Sequence, residues 1–402
     1  MYAPIINERQ PRLDWQMITA LAGLMCVGVA FIYSATMVSG PAVTMPWYQQ
    51  TYLRQIAWYL VGFLGALAVC LVDYRSLSRW SLVAYWASVL LLVAVLVPGI
   101  GSMRYGARRW IDLGLIQFQP SEFAKLAFVF VMAHFLSRPL NELRQPGIFF
   151  KALGMTVLPF LLILKEPDLG SALLFLPAGL VMMFVAGVPG RWLRRLVGGT
   201  GLVLLLLVLD ILFAPGPWRV PLEDYQRRRL LVYFNQEYVS ADAPPEVRRK
   251  ALLQQRNDSY NVEQALISVG SGGLTGKGWR EGTQNALGYL PRGVAHNDFI
   301  FSVIAEEKGF VGSVIVITLY TVVLFTGIRI ASQARDRLGK ILAAGVVTLL
   351  FSQVFINIGM NIRIVPVTGV PLPLLSYGGS SVLGSLIAAG ILQNIHLHRR
   401  SY

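Results

Sequence analysis

Stretches of about twenty apolar residues recur along nearly the whole of this chain, and nothing else in it restricts the fold as strongly. A helix of about 20 apolar residues crosses a hydrocarbon core of roughly 30 Å. In lipid each main-chain N–H and C=O needs an internal partner, so runs of this length must be helical. About ten spans are predicted, centred near Gly28, Gly65, Leu91, Val129, Leu158, Leu180, Leu205, Val316, Val347 and Leu386. Apolar residues make up 55% of the 402 and charged residues 14%, against roughly 25% charged in a soluble domain. The composition excludes a soluble enzyme. The expected fold class is an all-α membrane protein, a single polytopic domain over residues 1–402.

Basic residues fall unevenly between those spans. One alternating set of connections carries most of them, from Arg9 and Arg12 through Arg191, Arg194 and Arg195 to Arg399 and Arg400. The other set, among its short loops, holds only Arg54, Arg104, Arg108, Arg109, Lys165 and Arg363. Cytoplasmic loops retain Lys and Arg, so the first set and both termini are expected in the cytoplasm. The long charged loop over 214–298, between the seventh and eighth spans, then lies outside the membrane. Long loops translocate largely regardless of charge. The same asymmetry accounts for most of the net charge of +14. No basic stripe interleaves with aromatics, so no nucleic-acid partner is expected. The first run, Ile18 to Thr36, is long for a signal peptide and reads as a retained helix. Cys26 and Cys70 lie within apolar runs and read as small buried hydrophobes, without a disulfide or metal.

Inside the long loop, Glu223 to Val239 mixes Arg227, Arg228 and Arg229 with Leu230, Leu231, Tyr233 and Phe234. That mixture suits a helix lying on the membrane surface. Ser240 to Asn257, with Pro244-Pro245, reads as a flexible insert. Between Tyr260 and Phe301 the polar residues become dense: Gly270-Ser271-Gly272-Gly273, Gly276-Lys277-Gly278, Gly282-Thr283-Gln284, then His296-Asn297-Asp298. Glycines at that density permit positive φ or close approach to a ligand. Asp298 stands where the chain re-enters lipid, and an ionisable group there is a functional candidate. It is also placed to N-cap the eighth span.

Other polar residues interrupt apolar runs. Glu122 and Lys125 share a helical face three residues apart, as a structural ion pair or as the lining of a substrate cavity. Glu166-Pro167-Asp168-Leu169-Gly170 forms a short turn, either a simple helix break or a contact for a cation or sugar. Glu306 and Glu307 lie deeper in the eighth span. After Asn357, Asn361 and Arg363, the segment Val365 to Pro373 holds three prolines and leads into Ser376-Tyr377-Gly378-Gly379-Ser380-Ser381. Prolines at that density forbid a continuous helix. Irregular backbone at membrane depth must be buried in protein or face a wet cavity, so a re-entrant loop is expected. Zinc-ligand spacing, a Walker loop and a serine-hydrolase elbow are missing, which argues against an ATP-driven pump or an ordinary hydrolase.

Arg109-Trp110-Ile111-Asp112-Leu113-Gly114 followed by Gln119-Pro120-Ser121-Glu122 and Lys125 resembles a signature of the SEDS proteins, the shape, elongation, division and sporulation family. Pro167-Asp168-Leu169-Gly170, the His296-Asn297-Asp298-Phe299-Ile300-Phe301 stretch, and Pro366-Val367-Thr368-Gly369 through Ser381 resemble it too, in the family's order. The glycine pattern around Lys277 is similar to the rod-shape, elongation branch. Departures are Asn297 in place of a threonine, a longer stretch from Pro291 to His296, Arg363 in place of a small or apolar residue, and the insert from Ser240.

The resemblance implies a ten-helix glycosyltransferase of the bacterial cytoplasmic membrane that polymerises lipid II during elongation and releases undecaprenyl pyrophosphate. It also implies a class B penicillin-binding protein transpeptidase and the elongation machinery as partners, besides membrane lipids. On that reading Asp298 is the catalytic base. Arg109, Glu122, Lys125, Asp168, Lys277, Gln284, His296 and Ser376 contact substrate, with Arg109, Lys125 and Lys277 candidates to meet the pyrophosphate charge. A divalent cation, magnesium or manganese, would suit the same charge, with ligands the sequence does not specify. A lipid II flippase, a division-type polymerase and a non-catalytic scaffold are the alternatives.

Overall fold

The computed structural model describes residues 13–37, 46–104, 107–112, 114, 117–213, 224–234, 236, 238, 244–290 and 295–399. Apolar patterning is realised as helices: α1 (Trp15–Met37), α2 (Thr51–Leu71), α3 (Tyr74–Arg79) and α4 (Ser81–Leu96) lead into a small sheet. Its strands are β1 (Gly101–Arg104), β2 (Ala107–Asp112) and β3 (Gln117–Phe118), antiparallel in the order β1-β2-β3. There follow α5 (Pro120–Leu136), α6 (Leu140–Leu143), α7 (Pro146–Lys165), α8 (Leu169–Leu173), α9 (Phe175–Ala186) and α10 (Gly190–Phe213). The long loop holds α11 (Asp224–Tyr233), α12 (Pro245–Ser271) and α13 (Thr283–Ala286). Then come α14 (Ile300–Gln333), α15 (Arg337–Asn361) and α16 (Gly379–His398).

Among the described residues, eight helical segments are long and apolar enough to cross a membrane, with α8 and α9 together forming one of them. The remaining two expected spans are α4 and α5, of 16 and 17 residues. The core gathers where α16 packs on α2 and α15 packs between α9 and α14. Small residues make the first of these contacts close, since any Cβ on Gly390 would press on the backbone of Ala66. Outward faces are apolar instead of charged: Leu60, Phe63 and Leu64 on α2, Leu202 to Leu206 on α10, and Phe310, Ile315 and Phe325 on α14 are exposed. Such a belt is stable only against hydrocarbon. Cys26 belongs to it, exposed on α1, so lipid-facing rather than buried as expected. The Cys70 thiol donates to the Gly390 carbonyl.

Two readings of the long loop change. The segment expected to be a flexible insert is, from Pro245 on, the first half of a 27-residue helix. Pro245 occupies the first turn, where its missing N–H costs nothing, and charged side chains do not oppose a helix. Residues 239–243 lie outside the described residues. The glycines that follow do not await a ligand either. Gly309 breaks α14 with φ of +63°, and the 272–278 segment docks into that break. The N–H groups of Lys277 and Gly278 donate to the carbonyls of Glu306 and Glu307 at 3.0 and 3.1 Å, and those of Phe310 and Val311 donate back to Gly273 and Leu274 at 2.9 and 3.1 Å. A Cβ on Gly272 or Gly276 would overlap the carbonyls of Ala305 or Glu307. Here glycine is required by backbone meeting backbone.

Candidate active site

A cavity of about 700 Å³ opens between α11, α12, β2, the turn before α14 and the loop after α15. Its wall includes Arg109, Trp110, Arg228, Arg229, Asn257, Asp258, Asn261, Asp298, Arg363 and Thr368. Of the site residues expected from sequence, Asp298 and Arg109 line it.

Asp298 follows no capping geometry. The N-cap of α14 is Phe299, without a side-chain cap, so the expected capping role is not taken and the carboxylate is left to the cavity. The main chain of Asp298 is what the fold grips. Its carbonyl accepts from the side-chain amides of Asn357 and Asn361, at 3.0 and 3.1 Å. These two residues sit one turn apart on the same face of α15 and are fully buried. Asn357 also donates to the Val370 carbonyl at 2.7 Å, which ties the turn to the re-entrant loop.

That loop, between α15 and α16, is buried in protein as expected. Its carbonyls are met one by one: Tyr59 donates to Leu374, Tyr320 to Pro373, and Gln55 to Ser376 at 3.1 Å. This accounting is what lets irregular backbone persist at membrane depth. Ser376 was expected to touch substrate. It is instead 1% exposed, donating to the Asn297 carbonyl at 2.5 Å and accepting from the Leu372 N–H at 2.8 Å. It orients the turn that carries Asp298. His296 stacks obliquely on Tyr377, with ring centroids 5.6 Å apart, and is not among the cavity-lining residues.

Arg109 leaves β2 toward the Glu166–Asp168 turn, where it donates to the carbonyls of Glu166, at 3.3 Å, and of Pro167. Asp168 accepts from the Ser171 N–H at 3.1 Å and from Gln119 at 3.4 Å. Gly170 lets the turn press on the re-entrant loop, because a Cβ there would overlap Val370 and the Thr368 carbonyl. Two carboxyls respond to this crowding. Burial pushes Asp298 from 3.8 up to about 6, the nearby charge of Asp168 adds to the rise, and Arg109 and Arg229 oppose it. Burial likewise pushes Glu166 to about 9, with Asp168 adding and Arg109 opposing. Asp298 thereby approaches the range useful to a base near neutral pH.

The other expected residues form two separate clusters. Lys125 pairs with Glu122 at 2.8 Å, both buried on α5 and away from the cavity wall. Lys277 pairs with Glu306 at 2.7 Å, and the same carboxylate accepts from the Thr283 hydroxyl at 3.1 Å and the Gln284 main-chain N–H at 2.9 Å. Glu307 accepts from Ser34 at 2.5 Å and from the Arg280 N–H at 3.0 Å. Lys277 and Gln284 thus anchor the glycine segment to α14 and, unlike the expectation, do not face the cavity.

Sequence reasoning missed the roof. Arg228 and Arg229 were expected on a membrane-surface helix, but α11 buries Leu231 and Val232 and turns these arginines into the cavity. Asn257, the last residue of the expected insert, and Asp258 and Asn261 just beyond it also line the cavity from α12, and no motif in the sequence singles them out. Thr368, 4% exposed, keeps its hydroxyl without a partner at the cavity wall. A signal for α11 did exist: three consecutive arginines beside Leu230 and Leu231 mark a two-faced helix.

The profile of the FtsW/RodA/SpoVE cell cycle protein family matches residues 14–401. The chain is 37% identical over 390 residues to the peptidoglycan glycosyltransferase MrdB of Escherichia coli, covering 96% of this chain and 94% of that one. It is 34% identical over 401 residues to stage V sporulation protein E of Bacillus subtilis, covering 98% and 99%. Among solved structures, a chain from a peptidoglycan synthase complex that coordinates polymerization and crosslinking superposes with a TM-score of 0.75 at 29% identity, covering 97% of this chain and 99% of that one. The rod shape determining protein RodA of Thermus thermophilus superposes at 0.66 and 28% identity, covering 97% and 98%. With the profile spanning nearly the whole chain and the helices superposing along it, the protein belongs to the FtsW/RodA/SpoVE, or SEDS, family.

Proposed function

We infer that this protein is a peptidoglycan glycosyltransferase of the bacterial inner membrane, a multi-pass enzyme that builds glycan strands from lipid II. The observation that carries the assignment of its chemistry is Asp298, a carboxylate raised toward neutrality in a cavity walled by arginines. The 4-hydroxyl of one lipid-linked sugar attacks the anomeric carbon of another. As the new glycosidic bond forms, the bond from that carbon to the pyrophosphate oxygen breaks. Asp298 takes the hydroxyl proton, and the departing undecaprenyl pyrophosphate carries the bonding electrons. Arg109 stabilises the charge that develops on it, and the arginines of α11 hold the diphosphate both before and after the bond breaks. Asp168 tunes Asp298 through its charge. Glu122, Lys125, Lys277, Gln284, His296 and Ser376 act behind this cavity, holding the helices and loops that shape it.

Ten crossings, with both termini cytoplasmic and residues 214–298 outside, place Asp298 at the outer mouth of α14. The supports are the arginine asymmetry and the positions of α4 and α5 over two of the expected spans. Work in cell elongation, rather than division, is favoured by the glycine pattern around Lys277. A class B penicillin-binding protein transpeptidase is the proposed partner, since the superposed synthase complex couples polymerization with crosslinking.

No three His, Cys, Asp or Glu residues among those described are grouped to hold a metal. A magnesium or manganese ion at the pyrophosphate would take substrate phosphates and water for most of its shell. It would supply further charge neutralisation at the pyrophosphate.

A flippase needs a polar groove but no base held at its mouth. Incubating purified protein with labelled lipid II and resolving the products separates the two. Glycan polymer is expected, and translocation without polymer would overturn the assignment.

A further inference from the structure

Arg363 is one of the places where this sequence departs from the family pattern, and the structure gives that arginine two notable properties. Its φ is +58°, in the left-handed region that non-glycine residues rarely occupy. Its guanidinium reaches the end of α11, donating to the Val232 carbonyl at 3.1 Å. The last turn of a helix leaves carbonyls without helical partners and carries partial negative charge, so a guanidinium is well matched there. The contact is reciprocal. Tyr233, the last residue of α11, donates its hydroxyl to the Ile364 carbonyl at 2.8 Å. Two adjacent residues at the end of α11 are thus fastened to two adjacent residues after α15, across 131 positions of chain.

What the latch holds in place is basic. Arg228 and Arg229 on α11 line the cavity, and Arg229 is near enough to Asp298 to act on it electrostatically. Arg109 enters from β2 on another element, and Arg363 itself contributes a fourth guanidinium. Against these, Asp298 and Asp258 are the described carboxylates on the wall, and Asp258 accepts from the Tyr238 hydroxyl at 2.9 Å. Arginine surplus in a recessed cleft selects an anion with several oxygens, because each planar guanidinium presents paired donors.

We propose that Arg363 and Tyr233 are positioning residues that latch α11 over the cavity, and that Arg228 and Arg229 so held form the roof of a diphosphate-binding cleft facing Arg109. This rests on the glycosyltransferase reading, which supplies the diphosphate as the leaving group of the lipid-linked sugar. The left-handed turn at Arg363 closes the end of α15, where the Ile364 N–H donates to the Gly359 carbonyl at 2.7 Å and the Arg363 N–H to the Met360 carbonyl at 3.3 Å, and from that turn the guanidinium reaches α11. A role of this kind acts on binding of the diphosphate, not on proton transfer at Asp298.

The test uses the purified full chain in detergent, with two measurements. Binding of inorganic pyrophosphate is followed by calorimetry, and lipid II polymerisation gives KM and kcat. Arg228→Ala with Arg229→Ala is expected to weaken pyrophosphate binding and raise KM by about tenfold or more, as loss of charge-assisted bonds implies. Arg363→Ala and the milder Tyr233→Phe are expected to raise both in the same direction, by about threefold to tenfold, with kcat within about twofold of the parent. Arg256→Ala, on α12 outside the cavity wall, removes the same charge and should leave both measurements within about twofold. Unchanged pyrophosphate binding and KM in folded Arg363→Ala and Tyr233→Phe would overturn the latch. A kcat loss at unchanged KM would overturn it equally. If the parent makes no polymer yet binds pyrophosphate in an Arg228- and Arg229-dependent way, the cleft stands and the glycosyltransferase reading falls.

Discussion

Asn357 donates its side-chain amide to the main-chain carbonyl of Asp298 at 3.0 Å, from a fully buried position 59 residues away. The bond leaves the aspartate side chain untouched and fixes the backbone from which it projects. Asn357→Leu should therefore weaken the site without altering its chemistry. Loss of one buried donor to two carbonyls, of Asp298 and Val370, costs about 1–3 kcal/mol. A lowered thermal midpoint and reduced kcat are expected, with the pH dependence unmoved; melting in detergent and a polymerisation profile check both.

Asp298→Asn keeps the size of the side chain but removes proton acceptance. Lipid II binding is expected to persist while polymerisation falls at least about a hundredfold. Near-parental polymer from this variant would remove Asp298 as the base.

The pH profile follows from the raised carboxyl. A base must be deprotonated, and burial keeps the proton on Asp298 up to about 6. The rate should accordingly fall as pH drops through about 6, not through the ordinary aspartate value of 3.8. Asp168 contributes to the rise, so Asp168→Asn is expected to shift this acid limb to lower pH. An upward or absent shift would exclude the coupling.

Gly276 packs its α-carbon against the backbone of Glu307 at a φ of +82°. Gly276→Ala meets both the left-handed penalty of about 1–2 kcal/mol and the overlap. The 272–278 segment should undock from α14, seen as new proteolytic cleavage near Lys277 and a lower melting temperature.

Lys125→Met strands the buried Glu122 carboxylate, since their 2.8 Å pair is broken. A lowered melting temperature is expected, with polymerisation falling alongside the folded fraction. Abolished polymerisation in a stably folded preparation would instead put the pair in the path of the substrate, and unchanged stability would overturn the structural role. The double variant with Glu122→Gln separates these outcomes, because it leaves no unpaired charge. Orientation has its own check, with Cys26 and Cys70 first replaced by Ala. A cysteine at Ala243 should then react with an impermeant maleimide added from outside, and labelling only after permeabilisation would invert the topology.

The apolar runs alone determined that this chain is a helical membrane protein, because lipid leaves the backbone no alternative partner. Local chemistry also marked Asp298 and the proline-broken loop before α16, since an ionisable group at a membrane entrance and three prolines at membrane depth both demand a reason. Much of the site was not legible in this way. Glycine density shows that backbone must come close to something, but not whether a ligand or α14 occupies the space; the docked 272–278 segment decided that. An amphipathic segment likewise shows that α11 has two faces, not which one meets water. Burial of Leu231 and Val232, together with the contacts of Val232 and Tyr233 with the chain 131 residues away, puts Arg228 and Arg229 on the wall that Asp298 shares. Partner choice across such separations depends on the packing of all the intervening helices, and no local pattern encodes it.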